Sequence, residues 1–193
     1  MIPRLVLATK NQDKLGEMEA VLAGTGLVGE VVRGLEWPDV DEVGDTLEEN
    51  AALKARAVVE ATGLPAIADD TGLEVAALNG APGLHTARLA GPSATYAENV
   101  THLLELLDGV EDRSARFRTV VVLSFPDGVK VTAEGAVDGR ITKEVRGDFG
   151  FGYDPIFEVD GRTLAEMNSD EKNQLSHRSR ALRALVVALG VVE

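Results

Sequence analysis

The sequence contains no cysteine, which removes disulfides, thiolate nucleophiles and Cys-ligated zinc or iron–sulfur sites. Histidine is nearly as scarce: His85, His102 and His177 stand far apart, and no His-x-x-x-His pair is present to hold a transition metal. Any metal is therefore expected on oxygen ligands, as Mg²⁺ or Mn²⁺. Positive charge is also short, with 19 Lys plus Arg against 32 Asp plus Glu and a net charge of −13. A field of that sign repels a polyanion over a Debye length of about 8 Å, so DNA or RNA is not expected as a polymeric partner. Long apolar runs are missing. The longest, Ala184 to Val192, falls well short of the ~18 residues that would suggest a membrane span, and Met1–Ala8 lacks the apolar length of a signal peptide. These absences point to a cytoplasmic protein with no membrane partner. Aromatic residues make up only 4% of the chain, but 45% hydrophobic and 26% charged residues over 193 positions are ordinary for one globular domain, here expected as two lobes.

Periodicity then orders the chain. Pro3–Ala8 reads as a buried strand, and Asn11 caps a helix whose Leu15, Met18, Val21 and Leu22 recur at helical spacing up to Gly24 and Gly26. Val28–Val32 reads as a strand and Glu36–Gly44 as an acidic loop. Asp45/Thr46 with Glu48/Glu49 offer overlapping capping boxes for a helix to Thr62. Pro65–Ala68 and Leu73–Leu78 read as two strands around a turn at Asp69-Asp70-Thr71-Gly72, and Ser93–Leu107 as a helix. Ala115–Phe125 and Val129–Ala136, joined by Pro126-Asp127-Gly128, form the clearest hairpin, expected in the second lobe. A glycine- and aromatic-rich stretch at Arg146–Ile156 precedes a closing amphipathic helix, Ser176–Gly190. Strands mixed with helices, one pair of them a hairpin, predict an α/β layered domain with a mixed sheet.

Four constellations carry possible chemistry. Ala8-Thr9-Lys10-Asn11-Gln12-Asp13-Lys14 leaves a strand and opens a helix, where backbone N–H groups favour an anion; the alternative is that Asn11 only caps and Lys14 is solvated. It is not a Walker loop, because G-x-x-x-x-G-K-Ser/Thr is absent. Lys54 shares an apolar helical stripe with Leu47, Ala51 and Val58, so its charge either snorkels to the rim or faces an anion. Asp69 and Asp70, followed by Thr71 and Gly72, are placed to hold Mg²⁺ or activate water, or else only to turn the chain, with Glu42 as a further metal-side carboxylate. Phe151 and Tyr153 between glycines suggest a platform for a planar base, with Lys172, His177 and Arg178 as nearby cations and donors. Together these features converge on a small phosphorylated ligand with Mg²⁺.

Five segments in register resemble the inosine triphosphate pyrophosphatase family across essentially the whole chain. They are Leu7 to Lys14 with Glu17, Glu49-Asn50-Ala51-Ala52-Leu53-Lys54-Ala55, Ala68 to Val75 through Gly80-Ala81-Pro82-Gly83 and Ala87-Arg88, Phe151-Gly152-Tyr153-Asp154-Pro155-Ile156-Phe157, and Ser176-His177-Arg178. The resemblance implies a Mg²⁺-dependent nucleoside triphosphate pyrophosphatase that removes dITP, ITP and XTP from the nucleotide pool as the monophosphate and pyrophosphate. It implies a long twisted mixed β-sheet flanked by helices, two lobes with the active site in the cleft between them, and a homodimer.

By motif, Thr9, Asn11 and Lys14, within a substrate-binding run that includes Lys10, Gln12 and Asp13, would hold the triphosphate with Lys54. Asp70 would bind Mg²⁺ and accept the proton of the attacking water, with Asp69 and Glu42 supporting the metal. Thr71 stands where serine is common and keeps the hydroxyl. Phe151 would stack on the base, Gly152, Tyr153 and Asp154 would shape the pocket with Lys172, and His177 and Arg178 would recognise the purine 6-oxo group. Leu84-His85-Thr86 departs from the family pattern before Ala87-Arg88. Two other readings are a pyrimidine-directed pyrophosphatase, against which His177-Arg178 argue, and a non-catalytic nucleotide sensor, against which the intact Asp69-Asp70 pair argues.

Overall fold

A computed structural model describes residues 1–190 of the chain. The elements follow the order β1 (Ile2–Leu7), α1 (Gln12–Ala23), β2 (Val28–Val31), α2 (Leu47–Thr62), β3 (Ala66–Val75), β4 (Pro82–Gly83), α3 (Tyr96–Leu106), β5 (Ser114–Ser124), β6 (Lys130–Ile141), β7 (Phe157–Val159), β8 (Arg162–Thr163), α4 (Ser169–Leu175) and α5 (His177–Ala188). The strand order is β2-β1-β3-β5-β6-β7-β8, with β4 paired to β3 off this path. β1 runs parallel to β2 and β3, whereas β3–β4, β6–β7 and β7–β8 are antiparallel. The mixed sheet expected from the hairpin and the alternating elements is therefore present. The last two residues of the apolar run, Val191 and Val192, lie outside the described residues.

The chain divides into two compact units. Among the described residues the first comprises Met1–Asp70, Thr119–Gly135 and 177–190; the second comprises Thr71–Arg118 and Ala136–Ser176. The core of the first is built from Leu5 and Leu7 of β1, Met18 and Leu22 of α1, Ile67 of β3, Val121 and Leu123 of β5, and Leu182 and Leu185 of α5. Met18 and Leu22 of α1 and Leu182 and Leu185 of α5 fall on the faces that a 3.6-residue spacing turns inward. The core of the second is built on Leu73 and Val75, Val100 and Leu103 of α3, Phe117, Ile141, Ile156 and Phe157. There the Phe117 and Phe157 rings meet at 4.6 Å between centroids, a tilted contact within the favourable aromatic range.

Three expectations are corrected. Asp69-Asp70-Thr71-Gly72 is not a turn between two strands: β3 runs unbroken through it, and Ala76–Leu78 is a 3₁₀ turn rather than strand. Turn propensity loses here because both carboxylates find cations, described below. Gly72 has a different reason, since a Cβ there would come within 3.2 Å of the Gly83 carbonyl on β4. The hairpin does not lie wholly in the second lobe; Thr119–Gly135 belongs to the first unit and the rest to the second. Its strands explain this, because 11 and 12 residues at about 3.4 Å each outrun one core. Finally, α3 begins at Tyr96 instead of Ser93, set by a Thr95/Glu98 capping box, and a further helix, α4, opens at its own Asn168/Glu171 box.

Helix starts follow their caps. Asn11 Oδ1 accepts the N–H groups of Asp13 (2.9 Å) and Lys14 (3.2 Å) to open α1. Thr46 Oγ1 accepts from Glu49 N at 3.1 Å to open α2, which ends at Gly63 in the left-handed conformation. The start of α5 lies directly on β6 at Gly135, where any Cβ would fall against the backbone of His177 and Ala181. Gly135→Ala should therefore cost about 3 kcal/mol of stability, the upper end for over-packing, since backbone cannot yield as a side-chain tip can; urea unfolding checks this through the transition midpoint.

Candidate active site

The first unit gathers the charged residues singled out in the sequence. The centre is Asp69, 2% exposed in the middle of β3. Its Oδ2 receives Lys14 Nζ from the first turn of α1 at 3.1 Å, and Arg178 Nε and Nη2 from the first turn of α5, each at 3.1 Å. Arg178 also pairs through Nη1 with Glu17, one turn along α1 from Lys14. Burial alone would raise the Asp69 carboxyl, but Lys14, Arg178 and Lys54 outweigh it and hold it well below the usual carboxylate range. Arg178 behaves as the mirror image: burial lowers it, and Asp69 and Glu17 more than restore it. Lys14 is lowered, because burial exceeds the help of Asp69 and the charges of Arg178 and Lys54 add to the fall.

The adjacent residue, Asp70, has a different environment. Lys54 reaches it from α2, Nζ to Oδ1 at 3.1 Å, and the same ammonium holds Glu42 Oε1 at 2.8 Å. Lys54 thus faces carboxylates instead of snorkelling to solvent. Burial would lower its pKa, but Asp70, Asp69 and Glu42 together raise it. Burial pushes the Asp70 carboxyl up; Lys54 opposes the rise and Glu42 adds to it. Asn50, one turn before Lys54 and 2% exposed, donates Nδ2 to Asp70 Oδ2 at 3.4 Å and accepts the Gly44 N–H at 2.8 Å.

The chemistry of this donor set fits a hard divalent cation. Two carboxylates, Glu42 and Asp70, already share one ammonium, which marks a place where positive charge is stabilised by oxygen ligands. Mg²⁺ characteristically takes one or two carboxylates and completes its shell with phosphate and water. Among the described residues no group of three or more His, Asp or Glu side chains forms a closed metal cage. Asp69 departs from the role the resemblance implies, since its Oδ2 is engaged by two cationic side chains.

The remaining expected residues of this unit divide. Asn11 is the α1 cap, and Thr9 Oγ1 accepts from Asn11 N at 3.2 Å, shaping the loop. Lys10, Gln12 and Asp13 are exposed, and Lys10 pairs with Asp39 at 2.5 Å. His177 is buried and shares a hydrogen bond with Thr119 Oγ1 at 2.6 Å through Nδ1.

The second unit gathers the aromatic loop. Asp154, 3% exposed, accepts the Phe151 N–H at 2.8 Å and pairs with Lys172 of α4. Gly150, at φ +73°, leaves room for the Asp154 carboxylate that a Cβ would occupy. Lys172 Nζ lies 4.7 Å from the centre of the partly exposed Phe151 ring, and Tyr96 approaches the same ring at 5.9 Å. Tyr153 is buried, donates its hydroxyl to the Thr86 carbonyl at 2.9 Å, and is raised in pKa by that burial. Thr86 is a structural hub: its Oγ1 accepts from Leu73 N at 2.8 Å and donates to Gly83 O at 2.5 Å. Thr71 is partly buried on β3, and Gly152 on the loop.

Glu17 and Asn50 are members of the site that sequence reasoning did not assign. Glu17 carried a signal, lying at i+3 from Lys14 on one helical face. Asn50 carried a weaker one, a poor helix former inside an otherwise favourable helix.

Comparison with known proteins points in one direction. The family model of the Ham1 family matches residues 5–188. A dITP/XTP pyrophosphatase of Desulfotalea psychrophila is 47% identical over 186 residues, covering 94% of this chain and 83% of that protein. One of Symbiobacterium thermophilum is 50% identical over 184 residues, covering 93% and 91%. Among solved structures, a HAM1 protein from Coxiella burnetii matches with a TM-score of 0.87 at 42% identity, over 99% of this chain and 100% of that one.

The two neighbouring aspartates should respond oppositely to neutralisation. The depressed Asp69 pKa gives stability that is full above its unfolded value of about 3.9 and is lost as pH falls below it. Asp69→Asn should therefore lose about 3–5 kcal/mol at pH 7 by stranding Lys14 and Arg178, and its gap from the wild type should narrow below pH 4. Asp70, with a raised pKa, is penalised when charged, so Asp70→Asn should melt at or above the wild-type temperature at pH 7. Thermal and urea unfolding at pH 7 and pH 3.5 check both signs.

Proposed function

The chain belongs to the Ham1 family, and from that premise we propose that it is a hydrolase cleaving dITP, XTP and ITP to the nucleoside monophosphate and pyrophosphate. The observation that carries this reading is the pairing of Glu42 and Asp70 on one ammonium beside the Lys14–Asp69–Arg178 cluster. It is supported by relatives near half identical that bear the name dITP/XTP pyrophosphatase.

The chemistry follows from the residues. Water oxygen bonds to the α-phosphorus, the bridging oxygen to the β-phosphorus leaves with pyrophosphate, and the water proton passes to Asp70. A carboxylate raised by burial is better matched to that proton at neutral pH than an ordinary one. Lys14 and Lys54 oppose the charge that develops on the phosphate oxygens, already oriented by Asp69 and Glu42. Mg²⁺, held by Asp70 and Glu42, would supply Lewis-acid stabilisation of the same oxygens. Asp69 acts through others, fixing Lys14 and Arg178.

Base recognition falls to the aromatic loop and to His177 and Arg178. Phe151 offers a ring for stacking, held by the Asp154–Lys172 pair, while Tyr153 and Gly152 shape the loop. Donors facing a 6-oxo group favour hypoxanthine and xanthine, because adenine's amino group would leave a buried donor unpaired. The same reading makes the protein a cytoplasmic homodimer that clears the nucleotide pool. No helix among the described residues is long and apolar enough to cross a membrane.

The direct test is product analysis with dITP, XTP, dATP, dGTP and dTTP, each with Mg²⁺ and with chelator. Pyrophosphate from dITP and XTP, lost on chelation and nearly absent with dATP and dGTP, is the expected outcome; orthophosphate as the only product, or preference for dTTP, overturns it. Asp70→Asn should reduce turnover at least about 10³-fold while staying folded. Phe151→Ala should raise KM for dITP about tenfold or more, the loss of one stacking contact. Light scattering checks the assembly, expected at twice the 20.4 kDa of one chain.

A further inference from the structure

Asn50 is a costly residue where it stands. It lies in the fourth position of α2, where asparagine is a poor helix former, and it is almost fully buried, where an amide must find partners for both ends. Both ends are used. Oδ1 accepts the Gly44 N–H at 2.8 Å, and Nδ2 points at Asp70 Oδ2 at 3.4 Å. The amide's orientation is dictated by its neighbours, since only the oxygen suits an N–H and only the nitrogen suits a carboxylate.

The next turn of the same helix repeats the pattern. Lys54, four residues on, reaches Asp70 through the other carboxylate oxygen, Oδ1, and holds Glu42 Oε1. Successive turns of α2 therefore grip the two oxygens of Asp70, and each turn also grips the acidic loop: Asn50 at Gly44 and Lys54 at Glu42. Glu49 adds a third hold on the loop, accepting Asp45 N–H at 2.7 Å. Gly44 is pressed against the helix so closely that a Cβ would lie 2.6 Å from Glu49 Cβ and 2.8 Å from Asn50 Oδ1.

The two rungs differ in what they can survive. Lys54 is a charged group: phosphate oxygens compete for its ammonium, and a cation at Glu42 and Asp70 would compete with it for their carboxylates. Asn50 is neutral and enclosed, so its bonds persist when that charge is redistributed. We propose that Asn50 is a positioning residue that fixes the spacing between Glu42 and Asp70 by tying the acidic loop to the Asp70 carboxylate, so that the two carboxylates would be in place to hold one divalent cation. This rests on the pyrophosphatase reading above, and goes beyond it by assigning the residue that holds the two carboxylates in register.

The test uses Asn50→Leu, which removes both bonds at similar size, and Gly44→Ala, which pushes the loop away without touching Asp70. For each, two quantities are measured: the Mg²⁺ concentration giving half of the thermal shift without nucleotide, and kcat and KM for dITP as functions of Mg²⁺. Asn50→Leu should raise both half-saturating Mg²⁺ concentrations about tenfold or more and lower kcat about tenfold, with KM at saturating Mg²⁺ within about twofold, as expected of a residue that orients a metal's ligands. Gly44→Ala should raise the Mg²⁺ requirement in the same direction and leave kcat at saturating Mg²⁺ nearer the wild type. A lowered melting temperature with Mg²⁺ half-saturation and kcat within about twofold of wild type means Asn50 only stabilises the helix, and overturns the proposal. If Asn50→Leu does not fold, Gly44→Ala decides the matter by the same criterion. A wild-type protein that neither responds to Mg²⁺ nor turns over dITP overturns the pyrophosphatase reading instead, which separates the two failures.

Discussion

A single buried carboxylate, Asp69, organises the charged half of the molecule. An ionised group with 2% exposure carries a desolvation penalty of several kcal/mol unless it is paired and hydrogen-bonded. Here the pairing comes from the first turns of two helices far apart in sequence, Lys14 on α1 and Arg178 on α5. Both cations sit at the helix end where the dipole disfavours them, by a few tenths of a kcal/mol to about 1 kcal/mol each. The carboxylate on the strand reverses that cost. Strand β3 thereby anchors the first turns of both helices, and the packing of Met18 of α1 and Leu182 of α5 with Leu5 and Ile67 completes the arrangement.

The neighbouring aspartate shows how one residue's displacement along a strand separates two tasks. Side chains alternate across a strand, so Asp69 and Asp70 leave the backbone toward opposite faces. One meets two cations and is driven firmly into its ionised form; the other meets a single shared lysine, an acidic neighbour and an amide, and is raised. Environments that drive adjacent carboxylates apart in this way are the means by which a protein assigns structural and chemical work to identical side chains. Asn50 and Lys54, one helical turn apart, complete the assignment by holding Asp70 through different oxygens.

Much of this was legible in the sequence because the relevant signals are local. The caps at Asn11 and Thr46, the inward faces of α1 and α5 and the hairpin turn each follow from a few neighbouring residues. The reading of Asp69 to Gly72 as a turn failed because the information lies elsewhere: those residue types favour turns, and only Lys14, Lys54 and Arg178, brought in by the tertiary fold, make an unbroken strand cheaper. The hairpin was assigned to one lobe because strand length does not report where one hydrophobic core ends and another begins. Asn50 gives no local signal of its role for a related reason, since an asparagine in a helix usually stands exposed to solvent. Its partners at Gly44 and Asp70 are 6 and 20 positions away. The capping boxes of α3 and α4 are fully local, each set by a residue pair three positions apart.

The burial of this network bears on how the protein meets a changing ionic environment. Exposed pairs such as Arg116–Asp138 and Arg56–Glu60 are screened by dissolved salt and contribute little at physiological strength. Asp69 and Arg178 are enclosed and Lys14 is only partly exposed, so the attraction that orients them is screened by salt much less than that of the surface pairs. As salt varies, the self-repulsion of the acidic surface changes more than the cluster does, and the alignment of α1 and α5 on β3 depends less on ionic strength than the exterior contacts do.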